Sequence, residues 1–278
     1  MTVPTLPLND STTIPAVGLG TYKLAGASGV DAIVSAIHQG YRLLDSAFNY
    51  ENEGVVGEAI RRAGVPRGEL VVTSKLPGRH HAHDAAVRTV HESMYRMGLD
   101  YIDLYLIHWP LPRVDRYVEA WQALVELRAA GLIRSIGVSN FLPEHLDRVI
   151  EATGVTPSVN QLERHPYWPA DDQMAANAAR GVQVQAWSPV GRGSGLRDEP
   201  IVAGIAAAHG RTPTQILLRW HVQTGAIPIP KSVNPARQAE NLDVFDFALT
   251  TDDLARIATL ARPDGRTTGQ DPATYEEF

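Results

Sequence analysis

The sequence predicts an α/β fold, a single (β/α)8 TIM barrel with an N-terminal β-hairpin at the barrel bottom. Two observations carry this. From Val17 to about Ile229, short apolar runs of β-type residues alternate with amphipathic helical stretches, the pattern that builds a parallel sheet from βα units. The runs number eight with no evident linker among them, which favours a closed barrel over an open doubly wound sheet. A length of 278 residues suits such a barrel, so residues 1–278 are expected to form one domain.

The elements follow in chain order. TLPLND and TTIPAV flank the polar stretch Asn9-Asp10-Ser11-Thr12 and predict the hairpin. The barrel strands are expected at Val17–Gly20, Arg42–Asp45, Leu70–Lys75, Ile102–His108, Ile133–Val138, Ser158–Gln161, Val182–Trp187 and Ala226–Ile229. Between the first two, Val30, Ile33, Val34 and Ile37 recur at helical spacing and Gly40 is placed as a helix stop. Val118, Trp121, Leu124 and Val125 mark a helix ahead of Gly131. The near-continuous apolar run YIDLYLI fits a strand buried on both faces. After Ala261 the chain reads as a polar loop.

Composition narrows the function. With 44% hydrophobic and 20% charged residues the chain is globular, and its net charge of -6 is spread without the basic stripe that nucleic acid requires. There is no cysteine, which excludes disulfides, thiolate catalysis and Cys-ligated metals. No run approaches the roughly 20 apolar residues of a membrane span, and the opening MTVPTLPLND has no signal-peptide pattern. A cytoplasmic protein with no nucleic-acid or membrane partner is expected.

Three of the predicted strands each deliver one ionisable side chain at the carboxyl end: Asp45, Lys75 and His108. Tyr50 follows in the loop after Asp45. In a parallel barrel these ends share one face, where such folds place their chemistry. Singly, each residue reads as a turn Asp, a solvated Lys, a wedged Tyr or a satisfied His. Together they form an acid/base site. A free phenol titrates near pH 10, and a neighbouring ammonium lowers that value at about 1.36 kcal/mol per unit. Asp45 would hold Lys75 charged, and His108 would orient a substrate oxygen or share in proton delivery. Such an acid suits a carbonyl that accepts hydride. No side chain supplies hydride, so a reduced nicotinamide is implied.

Other motifs carry less. Gly18-Leu19-Gly20 lacks the third glycine of the dinucleotide fingerprint, so a Rossmann domain is not expected. Gly191-Arg192-Gly193-Ser194-Gly195 follows the seventh strand, where barrels often bind phosphate, but a flexible loop is the more frequent explanation of such a run. His80, His81 and His83 have only Asp84 as a neighbouring carboxylate and read as surface histidines, and no metal is expected.

Across nearly its whole length the sequence resembles the aldo-keto reductase superfamily, through GYRLLDSAFNYENE, TSKL and DLYLIHWP. The nearest subgroup is the bacterial 2,5-diketo-D-gluconate reductases, similar in the opening MTVP, in ELRAAGLIRSIGVSN and in NLDVFDF. The resemblance implies that Asp45, Tyr50, Lys75 and His108 are the catalytic tetrad of a monomeric, NADP(H)-dependent carbonyl reductase. It implies that Ser139, Asn140 and Gln161 bind the nicotinamide carboxamide and that the ring stacks on Trp187. Ser188 to Gly195, with Val190 and Gly191, would pass over the pyrophosphate. Lys231, Ser232 and Arg237 would bind the 2′-phosphate, Glu240 and Asn241 would face the adenine, and Val233 would also contact the cofactor. A Lys and an Arg across a helix start can clamp a dianion with the helix amides assisting.

Tyr22, Phe48 and Trp109 fall where the family's pocket walls are expected. Pro77 stands where a Trp is frequent in the family and suggests a lower wall, and Ser46 replaces a frequent Thr. Two rivals remain at this point. One is an aldolase with a Schiff base on Lys75, which leaves Tyr50, Trp187 and the Lys231 to Asn241 segment without a role. The other is a binding module that holds the cofactor without turnover.

Overall fold

A computed structural model describes residues 3–277. Met1 and Thr2 of the MTVP opening, and Phe278, lie outside the described residues. The chain begins with the expected hairpin, β1 (Thr5–Pro7) paired antiparallel with β2 (Thr13–Pro15). There follow β3 (Leu19–Gly20), α1 (Gly26–Gln39), β4 (Leu43–Asp45), α2 (Glu53–Ala63), β5 (Val71–Leu76), α3 (His83–Met97), β6 (Ile102–Ile107) and α4 (Tyr117–Ala129). The second half comprises β7 (Ile133–Ser139), α5 (Pro143–Thr153), β8 (Val159–Glu163), α6 (Asp171–Ala179), β9 (Gln183–Trp187), α7 (Pro200–His209), α8 (Pro213–Gln223), β10 (Ala226–Pro228), α9 (Pro235–Leu242) and α10 (Thr251–Ala258).

Strands β3 to β10 form one parallel sheet in chain order. Its two edges meet: Gly18 N–H donates to the Pro228 carbonyl at 3.1 Å and Gly20 N–H to the Pro230 carbonyl at 3.0 Å, which closes the barrel. This contact explains the glycine pair. A Cβ on Gly18 would sit 2.7 Å from the Ile229 side chain, so the glycine permits close approach of two strands.

Sequence periodicity and structure agree where one element decides its own burial. Val30, Ile33 and Ile37 face the core from α1, and Gly40 ends that helix with φ at 114°. Every residue of β6 is buried. Its one acid, Asp103, is met by Arg67 at 2.6 Å and by the Val72 N–H at 2.9 Å. The hairpin seals the bottom: Leu8 and Ile14 pack with Leu43, Leu104, Leu106, Val159, Ile227 and Ile229 inside the barrel. Asn9 also donates to the Pro157 carbonyl at 2.9 Å. Hydrophobic side chains thus fill the lower barrel and leave its carboxyl end as the open face.

Candidate active site

The loop after β4 is shaped by a short 3-10 turn, Phe48–Tyr50, ended by Glu51 at φ 54°. Asn52, buried just beyond it, donates to the carbonyls of Thr21 at 2.7 Å and Leu24 at 3.0 Å and accepts from Ser46 Oγ at 2.8 Å. These bonds tie the turn to the loop after β3 and fix where the Tyr50 phenol stands. Sequence reading passed over Asn52, whose only local signal is its place two residues after Tyr50.

Tyr50, Asp45 and His108 line one cavity of about 560 Å³ at the carboxyl end of the barrel, and Lys75 lies fully buried behind them. Lys75 Nζ donates to Asp45 Oδ2 at 2.6 Å and to the Ser46 carbonyl at 2.7 Å. Its ammonium lies 5.0 Å from the centre of the Tyr50 ring. The His108 and Tyr50 rings meet edge to face at 5.9 Å. Four residues from three strand ends and a loop therefore converge as the sequence led one to expect. A carbonyl cannot reach Lys75 in this arrangement, which disfavours a Schiff base there.

Electrostatics correct one part of the expectation. Burial pushes the Tyr50 phenol above its ordinary value, and the opposing pull of Lys75 reduces this rise without reversing it. Lys75 is displaced upward as well: burial would discharge it, but its ion pair with Asp45 holds it charged. The resting site thus holds a protonated phenol beside a charged ammonium.

The cavity continues past Ser139, Asn140, Gln161 and Trp187 to Ser188, Pro189, Val190 and Lys231. Asn140, left-handed at φ 62°, donates through Nδ2 to the His108 carbonyl at 3.0 Å and accepts the Trp187 Nε1–H at 2.9 Å. Gln161 spends its amide nitrogen on Asp45 Oδ1 at 2.7 Å and Gln185 Oε1 at 2.8 Å. The residue expected to bind cofactor thus also braces the tetrad, a link no local motif reveals.

A nicotinamide dinucleotide fits these residues. The half-buried indole of Trp187 offers a face held at a set angle, and the amides of Gln161 and Asn140 border it. Lys231 and Arg237 are exposed, and neither has a carboxylate partner among the described residues. The first amides of α9 are less free than expected, because Asn234 Oδ1 already accepts from Ala236 at 2.9 Å and Arg237 at 3.2 Å. Ser232 and Asn241 are buried, Val233 is exposed, and Glu240 accepts from Thr212 at 2.6 Å. Gly191, Ser232, Val233, Arg237, Glu240 and Asn241 lie beyond the cavity lining itself.

Of the expected pocket aromatics, Tyr22 and Trp109 line the cavity and Phe48 does not. Phe48 is buried away from the cavity beneath two guanidinium groups, with Arg96 at 4.0 Å and Arg79 at 5.7 Å from its ring. Arg192 lines the mouth and lies 5.3 Å over the Tyr22 ring. Arg164 is buried elsewhere, against Trp220 at 4.0 Å. The neighbouring histidines diverge: His80 meets Thr89 at 2.8 Å, His83 meets Glu126 at 3.0 Å, and His81 is buried.

Sequence reading also missed Gln270, Tyr275 and Glu277, which line the cavity from the segment after α10. That segment is an irregular loop, as expected, but it folds back over the mouth, with Thr267 N–H donating to Glu163 at 2.6 Å.

Comparison with known proteins agrees with this geometry. Residues 16–262 match the model of the Aldo/keto reductase family. The chain is 51% identical over 276 residues to 2,5-diketo-D-gluconic acid reductase B of Corynebacterium sp. (strain SHS752001), covering 99% of each. It is 44% identical over 271 residues to methylglyoxal reductase DkgA of Escherichia coli (strain K12), covering 97% of each. Among solved structures, an aldo-keto reductase of Bombyx mori in complex with NADP superposes with a TM-score of 0.91 at 37% identity, covering 100% of this chain and 99% of that one.

Proposed function

Because the chain belongs to the aldo/keto reductase family, we propose that it reduces small aldehydes and ketones to alcohols with NADPH, with Tyr50 as the general acid. It is an NADP-dependent oxidoreductase. Its substrates are small dicarbonyls and keto-sugar acids such as 2,5-diketo-D-gluconate, a reading supported by the relatives named for those activities. The protein works as one barrel domain, a cytoplasmic monomer whose partner is its carbonyl substrate.

When bound, NADPH supplies the hydride that reduces the carbonyl carbon. Ser139, Asn140 and Gln161 would hold the carboxamide, Trp187 would carry the ring, and Ser188, Val190 and Gly191 would border the pyrophosphate. Lys231, Ser232 and Arg237 would hold the 2′-phosphate, with Val233 beside them, and Glu240 and Asn241 would face the adenine. His108 orients the substrate oxygen. Tyr50, kept protonated by burial, gives its proton to that oxygen, and the Lys75 ammonium stabilises the phenolate left behind. Asp45 keeps Lys75 charged and in place.

The observation that carries this reading is the buried Asp45 to Lys75 pair set behind a cavity-facing Tyr50. The test is NADPH consumption with dicarbonyls, keto-sugar acids and aromatic aldehydes, beside NADH and beside Tyr50→Phe. Turnover preferring NADPH, lost by a factor of about 10²–10⁴ in Tyr50→Phe with NADPH binding retained, is expected. Binding without turnover by the unaltered protein favours a binding module instead.

A further inference from the structure

The segment after α10 brings an acid to His108. Glu277 Oε1 lies 2.8 Å from His108 Nδ1, and the two side chains are only 11% and 12% exposed. The other carboxylate oxygen accepts the Gly78 N–H at 3.3 Å. Gly78 permits this seat, since a Cβ there would fall 2.7 Å from the Glu277 carbonyl oxygen. Two contacts dock the same segment: the Tyr275 ring lies 4.5 Å from Trp109, and Glu276 accepts the Arg113 N–H at 2.7 Å. The segment thereby covers Gly78, the residue after the Pro77 at which the sequence suggested a lower wall.

We propose that Glu277 is a positioning residue for His108: its carboxylate, 2.8 Å from Nδ1, pairs the ring from the Nδ1 side and turns Nε2 toward the substrate carbonyl as a hydrogen-bond donor. The inference rests on the carbonyl-reductase reading above and deepens it. A neutral imidazole carries one N–H; with that proton on Nδ1, toward Glu277, Nε2 can only accept and would oppose a carbonyl oxygen. A charged ring donates from both nitrogens. Nδ1 is the buried nitrogen, and the carboxylate oxygen lies off its N–H direction, so Glu277 acts through charge more than through one directed bond. The carboxyl responds in kind: burial raises it, but His108, Asn49 and the Gly78 N–H outweigh burial and hold it below the usual glutamate range.

Other groups face the pair from each packed element. Tyr50 lies against the imidazole, with Lys75 and Asp45 behind it. Asn49, bound by Arg79, stands beside Glu277. His81, with Arg116 beyond it, approaches from the loop after β5. Lys23, Arg192 and Lys231 line the far side of the cavity. Among the described residues, Glu277 is the acid within ion-pair distance of the ring.

The experiment measures kcat/KM for methylglyoxal from about pH 5.5 to 9 with saturating NADPH, in the unaltered protein, Glu277→Gln, Glu277→Asp and Tyr275→Ala. Glu277→Gln is expected to lower kcat/KM about tenfold near neutrality and to move the alkaline limb about one unit toward lower pH, with NADPH affinity unchanged. Glu277→Asp recovers part of both effects, and Tyr275→Ala raises KM with the limb in place. An NMR titration of the His108 imidazole in the unaltered protein and Glu277→Gln reads the ion pair without turnover. If the titration and the limb stay where they were, or Tyr275→Ala moves them equally, the segment only packs and the proposal fails. If the titration moves but no carbonyl is reduced by any form, the reductase reading fails and the proposed donor role falls with it, while the ion pair stands.

Discussion

Trp187 and Asn140, delivered by the ends of β9 and β7, share a hydrogen bond in which the indole N–H donates to Asn140 Oδ1 at 2.9 Å. The bond fixes the tilt of a ring that would otherwise pivot about its side-chain torsions, and it orders that ring before any cofactor arrives. Trp187→Phe keeps an aromatic face but strands a buried acceptor on Asn140, so NADPH affinity should fall about tenfold. Trp187→Ala removes the face as well and should weaken binding further. Fluorescence titration with NADPH measures both, and equal affinity in Trp187→Phe and the unaltered protein refutes the pre-ordering argument.

The Asp45 to Lys75 pair should matter to stability as well as to chemistry. Asp45→Asn leaves a buried ammonium without its counterion, at a cost of about 3–5 kcal/mol. The pH dependence has a definite sign. Lys75 and Tyr50 are both displaced upward in the folded protein, so their protonated forms add stability that is complete below the unfolded values and is lost as pH rises through the folded ones. Urea midpoints should therefore decline above about pH 10 in the unaltered protein and less steeply in a Lys75→Met, Tyr50→Phe double variant. A parallel decline in both forms argues against the pair as the source.

Cofactor choice should reside in Lys231 and Arg237. Both are exposed and have no carboxylate partner among the described residues, so removing either costs the fold little. Each charge-assisted bond to the 2′-phosphate contributes about 1.5–3 kcal/mol, so Lys231→Ala or Arg237→Ala should cut the NADPH to NADH ratio of kcat/KM by about 10-fold to 150-fold. The expected loss falls on NADPH alone. Should NADH turnover decline in proportion, the cations serve the barrel and not the phosphate.

Two glycines in helices make opposite predictions. A Cβ on Gly57 of α2 would sit 2.1 Å from the Met97 carbonyl oxygen, a backbone atom that cannot yield without moving α3. Gly57→Ala should destabilise by about 1–3 kcal/mol or more. On Gly204 of α7 the nearest atom to a Cβ is the Arg256 guanidinium at 3.7 Å, so Gly204→Ala should be neutral or stabilise by up to about 1 kcal/mol through helix propensity. Thermal denaturation of the two variants side by side decides the matter.

What could be read in advance was whatever one segment settles by itself. The strands Leu43–Asp45 and Val71–Leu76 declare themselves by short apolar runs, and a parallel barrel gathers the carboxyl ends of its strands on one face, so Asp45 and Lys75 could be paired from the sequence. Phe48 shows the limit. Its place between Asp45 and Tyr50 suggested a pocket wall, yet the 3-10 turn buries its ring away from the cavity, against Arg96 and Arg79. Direction within a turn depends on backbone angles that a residue name does not encode.

The sequence by itself determined the eight strands, their order around the barrel, the end at which chemistry gathers and the family resemblance from which NADP(H) follows, because alternating periodicity and strand-end residues are local properties. Only the tertiary structure decided that Gln161 braces Asp45 across 116 residues and that Glu277 reaches His108 from the segment after α10. Both are contacts between side chains far apart in the chain, set by barrel closure and by how a loop without regular periodicity packs over the mouth. The balance of burial against Lys75 at the Tyr50 phenol was likewise a tertiary matter, since desolvation depends on what surrounds a group and not on its neighbours in sequence.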